Sequence, residues 1–222
     1  MLIVLASSSP RRQELLRQVG IPFVVDVPAV DEHISEPLPP GQFVEQLALR
    51  KARAVAPRHP GELVLAADTI VVLEGEVLGK PADRAEAVRM LERLSGRSHQ
   101  VFTGVAVVKG GRELVAHEET VVRFAPLTRE QIEWYVATGE PMDKAGAYGI
   151  QGRAAALITA ISGDYYNVVG LPLYRTVQML SQFGHPIFSG EPAEGRAWTG
   201  DCVPEKAARG GSAAGAAAAP GA

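Results

Sequence analysis

Cysteine is almost absent from the sequence: its 222 residues include only Cys202. A single thiol can form neither an internal disulfide nor a zinc site of several cysteines, so a reducing compartment is expected. Long apolar runs are missing too. No stretch approaches the roughly 20 residues of a membrane span, and the apolar residues 1–6 lack the basic leader and the length of a secretory signal. The sequence therefore predicts a cytoplasmic protein without a membrane partner.

Neither an excess of basic charge nor a glycine-rich nucleotide motif is present. Lysine and arginine number 22 against 25 aspartates and glutamates, which gives a net charge of −3 and not the strongly basic surface of non-specific nucleic-acid binding. No G-x-G-x-x-G occurs. Residues 75–80 place two glycines before a lysine, but their spacing is too short for a Walker motif, and Pro81 stands where its Ser or Thr belongs. We expect no nucleic-acid partner and no Rossmann, kinase or P-loop chemistry.

The composition that remains is that of an ordinary globular protein, with 46% hydrophobic and 21% charged residues. Strand-like and helix-like segments alternate over residues 2–188, with hairpin-like strands among crossover helices, which predicts an α/β domain with a mixed sheet. Residues 189–222 differ, because 11 alanines and 7 glycines leave few side chains for a core. We expect a domain over residues 1–188 and a flexible tail over 189–222; a docked tail is the alternative.

Residues 7–12, SSSPRR, lie between an apolar strand and the helix that follows. A helix begins with unpaired N–H groups and the positive end of its dipole, so its N-terminus can bind an anion. Three hydroxyls and the guanidinium groups of Arg11 and Arg12 would add donors for phosphate oxygens. In the alternative, Ser9 only caps the helix and both arginines are solvated, but positive charge at this end opposes the dipole. The segment favours a phosphate site.

Acidic residues occur at two other places where chemistry is expected. Asp68 and Thr69 directly follow the apolar strand 63–67, and strand ends are where α/β proteins place reactive groups. A buried carboxylate is costly unless it is paired or binds a metal; a structural pair with a lysine, or a turn cap, is the alternative. Glu32, which follows Asp31, could complete an oxygen-rich site for Mg²⁺ or Mn²⁺ with Asp68, although two acids in a loop are more often solvated.

Two lysines and one glutamine complete the candidates. Lys80 is either a point charge for phosphate or a solvent-facing side chain near a turn. Lys51 lies in the run RKAR, which on a helix usually forms the wet face. Gln151 offers a donor and an acceptor for reading a base edge. The glycines at 146, 149 and 152 either let a flat ligand approach the backbone or serve loop geometry alone.

Taken together and in this order, the motifs resemble the Maf family of nucleoside triphosphate pyrophosphatases. The resemblance covers residues 2–188, and a match of several motifs over that length is specific where any single motif is not. The matching segments are 5–12 (LASSSPRR), 30–32 (VDE), 67–69 (ADT), 78–81 (LGKP), 94–99 (LSGRSH), 143–152 (DKAGAYGIQG) and 163–172 (GDYYNVVGLP).

The resemblance implies an α/β fold, an elongated mixed β-sheet flanked by helices with a deep cleft between two lobes, as in the related inosine-triphosphate pyrophosphatases. It implies hydrolysis of a nucleoside triphosphate between the α and β phosphates, with a divalent metal cation, Mg²⁺ or Mn²⁺, and a homodimer. By motif position, Asp68 would be the general base or metal-linked carboxylate. The other implied site residues are Arg11, Thr69 and Gln151 for base choice, and Ser7, Arg12, Glu32, Lys51 and Lys80 for the phosphate and metal region.

Details of the match indicate the substrate. Gln151 with its following glycine, and the SPRR start, resemble the subfamily that acts on dTTP and UTP rather than the one that acts on 7-methyl-GTP. Ala66, Ala154 and Leu157 depart from the usual glycine, glycine and phenylalanine, which affects packing and base-pocket width rather than chemistry. The sequence thus predicts a house-cleaning pyrophosphatase for dTTP, UTP or modified analogues; a non-catalytic nucleotide or nucleic-acid binder in septum-formation control is the alternative.

Overall fold

The strands form a seven-stranded mixed sheet in the computed structural model, which describes residues 2–34 and 37–185. They are β1 (Ile3–Leu5), β2 (Phe23–Val25), β3 (Leu63–Leu73), β4 (Glu76–Leu78), β5 (Ser98–Lys109), β6 (Arg112–Phe124) and β7 (Ile158–Ser162). The order is β2-β1-β3-β5-β6-β7, and β4 pairs with β3. β1 runs parallel to β2 and β3, and the other pairs are antiparallel. The predicted mixed sheet is confirmed; the predicted tail, 189–222, lies outside the described residues.

Six α-helices accompany these strands within the described ranges; α1 to α4 lie between strands, and α5 and α6 follow the last one. They are α1 (Pro10–Gln18), α2 (Pro40–Val55), α3 (Arg84–Leu94), α4 (Arg129–Ala137), α5 (Tyr165–Val169) and α6 (Leu173–Ser181). The side chains of Ser9, Asp83 and Thr128 accept hydrogen bonds from first-turn N–H groups of α1, α3 and α4, as N-caps do. Proline stands in the first turn of α1 and α2, where its missing N–H costs nothing. None of these helices combines the length and the apolarity that crossing a membrane requires.

The helices divide between the two faces of the sheet. α2 packs on one face, against even-numbered residues of β3 such as Val64 and Val72. The other five helices contribute to a larger core on the opposite face, with odd-numbered residues such as Leu65 and Val71. Neighbouring residues of a strand point to opposite faces, so two adjacent side chains of β3 belong to different cores. The predicted flanking helices are thereby confirmed.

An unpaired stretch along one edge of β3 creates the space for a site. On that edge β1 pairs with residues 63–65 and β4 with residues 71–73, so residues 66–70 have no strand partner there among the described residues. On the other edge β5 pairs continuously with residues 64–72. The expected strand end after Ala67 is therefore wrong. β3 continues through Asp68 and Thr69, and the strand that ends at this level is its neighbour β1.

Candidate functional site

A cavity of about 970 Å³ opens beside the unpaired edge of β3. Its lining comes from the start of α1, from α2, from the middle of β3, and from the segments 77–80, 140–152 and 168–170. All nine residues predicted to act on substrate or metal belong to this lining: Ser7, Arg11, Arg12, Glu32, Lys51, Asp68, Thr69, Lys80 and Gln151. The fold thus brings distant parts of the chain together at one place.

Lys51 lies between two carboxylates in this cavity. Its Nζ is 2.6 Å from Asp68 Oδ1 and 2.7 Å from Glu32 Oε1. The hydrogen bond from Lys51 lowers the pKa of the Glu32 carboxyl, against a smaller rise from burial. The prediction that Lys51 lies on a solvent-exposed face of its helix is wrong. α2 directs the side chain toward the sheet, where it is only 12% exposed. Asp68 does have the lysine partner of its structural alternative, but the pair stands inside the cavity.

The loop that carries Glu32 is held by the residue next to Lys51. Arg50 Nη1 donates to the backbone carbonyls of Asp31, at 2.6 Å, and of His33, at 2.9 Å. α2 therefore fixes the backbone on both sides of Glu32 through Arg50 and its side chain through Lys51. Arg50 could not be predicted from the sequence, because an arginine on a helix surface gives no sign of which loop it contacts.

Glu32 and Asp68 are the carboxylates that could hold a divalent metal ion. Their oxygens converge on Lys51 Nζ, and carboxylate oxygens are donors that Mg²⁺ and Mn²⁺ prefer. Residues 2–34 and 37–185 contain no group of three or more His, Cys, Asp or Glu side chains suited to a metal. Mg²⁺ is usually bound through one or two carboxylates together with waters and substrate phosphates. The donor set fits an ion that completes its coordination with phosphate oxygens.

Arg12 is held in place by three hydrogen bonds. Its Nε donates to the Gly170 carbonyl at 2.7 Å, Nη1 to Ser7 Oγ at 3.0 Å and Nη2 to Thr69 Oγ1 at 3.0 Å. Burial lowers the pKa of the guanidinium, and the charge of Asp68 opposes this effect. The alternative in which Ser9 caps α1 while the arginines are solvated is right about the cap and wrong for Arg12. Two of its five N–H donors remain for a ligand.

Thr69 continues this chain of hydrogen bonds into the sheet. The buried Thr103 Oγ1 donates its proton to the Asn167 carbonyl at 2.9 Å, so it is the acceptor in its 2.9 Å contact with Thr69 Oγ1. Thr69 in turn accepts from Arg12. Its hydroxyl keeps one acceptor position for a ligand. Thr103 and Asn167 were not among the predicted site residues, since buried polar residues of a strand and a short helix carry no mark of what they support.

Arg11 contacts a different part of the lining. Its Nη1 lies 3.2 Å from Asp143 Oδ2, and Asp143 Oδ1 accepts from Lys144 Nζ at 2.6 Å. Burial raises the pKa of the Asp143 carboxyl, but the hydrogen bonds and charges of Lys144 and Arg11 outweigh it and lower the pKa overall. The pair links α1 to the segment that carries Gln151.

The glycines around Gln151 serve loop geometry, the second of their two predicted roles. Gly146 has a φ of +70°, which favours glycine. A Cβ on Gly149 would collide with the Lys144 side chain, and one on Gly152 with the Glu140 carboxylate. Side chains of the protein, rather than a flat ligand, fill the space that these two glycines leave. The Gln151 side chain is exposed and lines the cavity.

Comparison with known proteins gives consistent matches along the chain. The family model described as "Maf-like protein" matches residues 2–183. A dTTP/UTP pyrophosphatase of Symbiobacterium thermophilum is 79% identical over 188 residues, 85% of this chain and 97% of that protein. A dTTP/UTP pyrophosphatase of Moorella thermoacetica is 59% identical over 184 residues, 82% of this chain and 95% of its own. Among solved structures, a HAM1 protein from Coxiella burnetii aligns with 82% of this chain and 99% of its own, at 21% identity and a TM-score of 0.48.

Proposed function

The chain belongs to the Maf family, and from this premise we propose that it hydrolyses dTTP and UTP to the nucleoside monophosphate and pyrophosphate in a house-cleaning role. The observation that carries the proposal is the convergence of Asp68, Glu32, Lys51 and Arg12 in one cavity. A carboxylate that accepts a proton from water and cations that bind phosphate are the groups this hydrolysis needs. The relatives named dTTP/UTP pyrophosphatase support this choice of reaction and base.

The cations of the cavity bind the triphosphate. Arg12 keeps two N–H donors, and its three bonds to the protein hold them in a fixed direction. Lys80 makes no ion pair with any residue in the described ranges, so its ammonium is available to phosphate oxygens. The positive end of the α1 dipole adds to this site. Donors held in place before the reaction stabilise the charge that develops on the leaving pyrophosphate.

Asp68 accepts the proton of the attacking water. Lys51 holds its Oδ1 and so leaves Oδ2 for that water. Lys51 also keeps Glu32 next to Asp68 before substrate arrives. Both carboxylates would hold Mg²⁺ or Mn²⁺, which, when bound, neutralises phosphate charge and lowers the pKa of a bound water.

Arg11, Thr69 and Gln151 select the base. Uracil and thymine present two carbonyl acceptors and one N–H donor. Thr69 offers an acceptor, Arg11 offers donors, and the Gln151 amide offers one of each. Together these side chains offer both donors and acceptors, as the hydrogen-bonding edge of uracil and thymine requires.

We also propose a cytoplasmic homodimer that acts on free nucleotides rather than on nucleic acid. The single cysteine and the net charge of −3 support the compartment and the absence of a nucleic-acid partner. The dimer rests on the family resemblance alone.

Pyrophosphate release from a panel of nucleotides tests the proposed activity. With Mg²⁺ or Mn²⁺, dTTP and UTP are expected to yield the monophosphate and pyrophosphate, and not the diphosphate and phosphate. ATP, GTP and 7-methyl-GTP report base choice and are expected to react more slowly. If nucleotides bind and none is cleaved, the protein is a non-catalytic binder.

A further inference from the structure

The side chains of Tyr135 and Glu140 form hydrogen bonds with the backbone of the loop 149–153, which carries Gln151. We call this pair the Tyr135–Glu140 clamp. Tyr135, on α4, is fully buried. Its Oη accepts from the backbone N–H of Gly149 at 3.1 Å and donates to Glu140 Oε1 at 2.9 Å. Glu140 Oε2 accepts from the backbone N–H of Arg153 at 3.0 Å. The clamp therefore holds the backbone on both sides of Gln151.

The glycines next to Gln151 are fitted to the clamp. The Glu140 carboxylate occupies the place of a Cβ on Gly152, and the Lys144 side chain that of a Cβ on Gly149. Lys144 Nζ in turn donates to the Glu140 carbonyl at 2.7 Å. Such close packing restrains the loop backbone relative to α4. The Gln151 amide makes no hydrogen bond within the part of the chain that the structure describes, so this backbone restraint is what directs it.

The polar atoms of the clamp are already used within the protein. Both carboxylate oxygens of Glu140 have a donor, and the Tyr135 hydroxyl both donates and accepts. Burial raises the pKa of Tyr135, so the hydroxyl keeps its proton at neutral pH. A loop fixed in advance pays less conformational entropy when it binds a ligand than a loop that must be ordered first.

We propose that Tyr135 and Glu140 are positioning residues for base selection, which act by holding the Gln151 amide where a uracil or thymine base is read. The inference rests on the proposed function and deepens it. Because the clamp supports recognition of the base and not the carboxylates at Asp68, its loss raises KM and weakens selectivity while kcat is kept.

A double-mutant cycle between the clamp and Gln151 tests the proposal. Tyr135→Phe and Glu140→Gln are made in the wild-type and Gln151→Ala backgrounds, and kcat and KM are measured for UTP and GTP. In the wild-type background we expect each change to raise KM for UTP about tenfold, to lower the preference for UTP over GTP by a similar factor, and to keep kcat within about threefold. In the Gln151→Ala background the same changes should add less than about twofold, because residues of one network are not additive.

Matched controls make the same chemical changes away from the loop. Tyr174→Phe removes a hydroxyl from a side chain that is 73% exposed on α6, and Glu133→Gln removes a charge on the exposed side of α4 that pairs with Arg129. Both should leave KM and selectivity unchanged. Melting temperatures report the folding of each variant, and if Tyr135→Phe does not fold, the half-buried Glu140→Gln carries the cycle.

Two results would overturn the proposal. One is an equal effect of the clamp variants with and without Gln151, which would mean that they act elsewhere; the other is unchanged selectivity in the Gln151→Ala protein or in the clamp variants. Wild-type protein that releases no pyrophosphate from any nucleotide would refute the proposed function instead. In that case the same cycle, read as Kd for non-hydrolysable UTP and GTP analogues, still decides whether the clamp positions Gln151.

Discussion

Among single residues, Lys51 pairs with both carboxylates of the charged cluster in the cavity. A carboxylate in a strand interior is costly unless a partner compensates its charge, and Lys51 Nζ provides this for Asp68 at 2.6 Å. The same ammonium also pairs with Glu32 at 2.7 Å. Loss of the charge on Asp68 therefore leaves Lys51 with a carboxylate partner, so a variant at this position can keep its fold.

Asp68→Asn tests the role of that carboxylate. The amide keeps the shape of the side chain but loses both basicity and charge, so kcat should fall by at least about 10²-fold. Metal-free binding of a non-hydrolysable UTP analogue should persist or tighten, because a negative charge near the phosphates is gone. Pyrophosphate release gives kcat and calorimetry gives Kd. A retained kcat would make Asp68 structural, whereas loss of both quantities would indicate a damaged fold.

His99 is a buried titratable residue behind the cavity wall. Its Nε2 lies 2.7 Å from the hydroxyl of Tyr148, a cavity-lining residue. The ring of Phe124 packs against the imidazole, with 5.7 Å between the two ring centroids. Burial lowers the pKa of His99 from 6.5 to about 4. In the unfolded chain the His99 imidazole binds a proton near its ordinary pKa of 6.5. In the folded protein the same imidazole stays neutral down to about pH 4.

Stability should rise with pH between about 4 and 6.5, because over this range the unfolded state binds more protons than the folded state. For His99 the gain from pH 5 to pH 7.5 is about 2 kcal/mol. Urea unfolding at several pH values measures it. His185, whose pKa burial also lowers, contributes with the same sign, so the comparison is with His99→Gln, which should lose most of the slope. An unchanged slope in that variant would assign the effect to other groups.

Asp68, Arg11 and Arg12 could be predicted as site residues because they stand out against the residues around them. An acid in an apolar run and two arginines at a helix start conflict with local rules, and such conflicts mark sites. The charged neighbours of Lys51 led to the wrong prediction of a solvent-exposed side chain. Lys51 lies three residues after Ala48 and four before Val55, which places it on the buried side of α2. The supporting residues were missed because hydrogen bonds between distant segments leave no local pattern.

At the scale of elements, the closeness of α2 to the sheet sets the geometry of the charged cluster. Gly104 on β5 pairs with Asp68 on β3, and the backbone of α2 at Val44 lies directly over it. α2 also carries Lys51. The missing side chain at position 104 therefore lets the helix lie close enough for Lys51 to reach Asp68.

Gly104→Ala should lift α2 from the sheet, because the new Cβ meets backbone atoms that cannot rotate away. We expect a loss of about 1–3 kcal/mol of unfolding free energy, and a fall in kcat of about 10²-fold, since a shift near 1 Å is enough for that. Gly41→Ala, at the other contact of α2, meets the movable ring of His117 and should cost less in both quantities. Denaturant unfolding and pyrophosphate release measure the two effects; equal losses in both variants would contradict this account.

The elements themselves were largely predictable, and their relations were not. Ser9 and Pro10 mark the start of α1 in the sequence, Asp83 marks that of α3, and the helices begin at Pro10 and Arg84. The continuous course of β3 through Asp68 was missed because it depends on β5, which pairs with it on the far edge. The free edge beside Asp68 depends on β1, which ends early. Both features depend on strands that are distant from Asp68 in the sequence, so the residues around Asp68 do not predict them.

On the scale of the whole molecule, the larger core includes residues from the first described strand to the last described helix. The last helix, α6, already packs Met179 and Leu180 into the larger core. Truncation after Phe188 should therefore leave the melting temperature and turnover nearly unchanged. Calorimetry and the pyrophosphate assay on full-length and truncated protein measure this. A loss of several degrees would show that residues 189–222 dock on the domain.

Family membership could be predicted at this scale, because the motifs occur in a fixed order over residues 2–188, and the family match over residues 2–183 confirms it. The cavity volume and the clamp could not, since both arise only when segments far apart in the chain meet.

The hydrogen bond from Arg12 to the Gly170 carbonyl joins residues 158 positions apart, and this has a consequence for protein synthesis. At about 5–20 residues per second, the ribosome adds Gly170 roughly 8 to 30 s after Arg12. During that interval the nascent chain holds the guanidinium without its acceptor and the cavity without the wall formed by residues 168–170. We therefore expect catalysis only after residues 168–170 have been synthesised, and we expect a product of translation arrested earlier to be inactive.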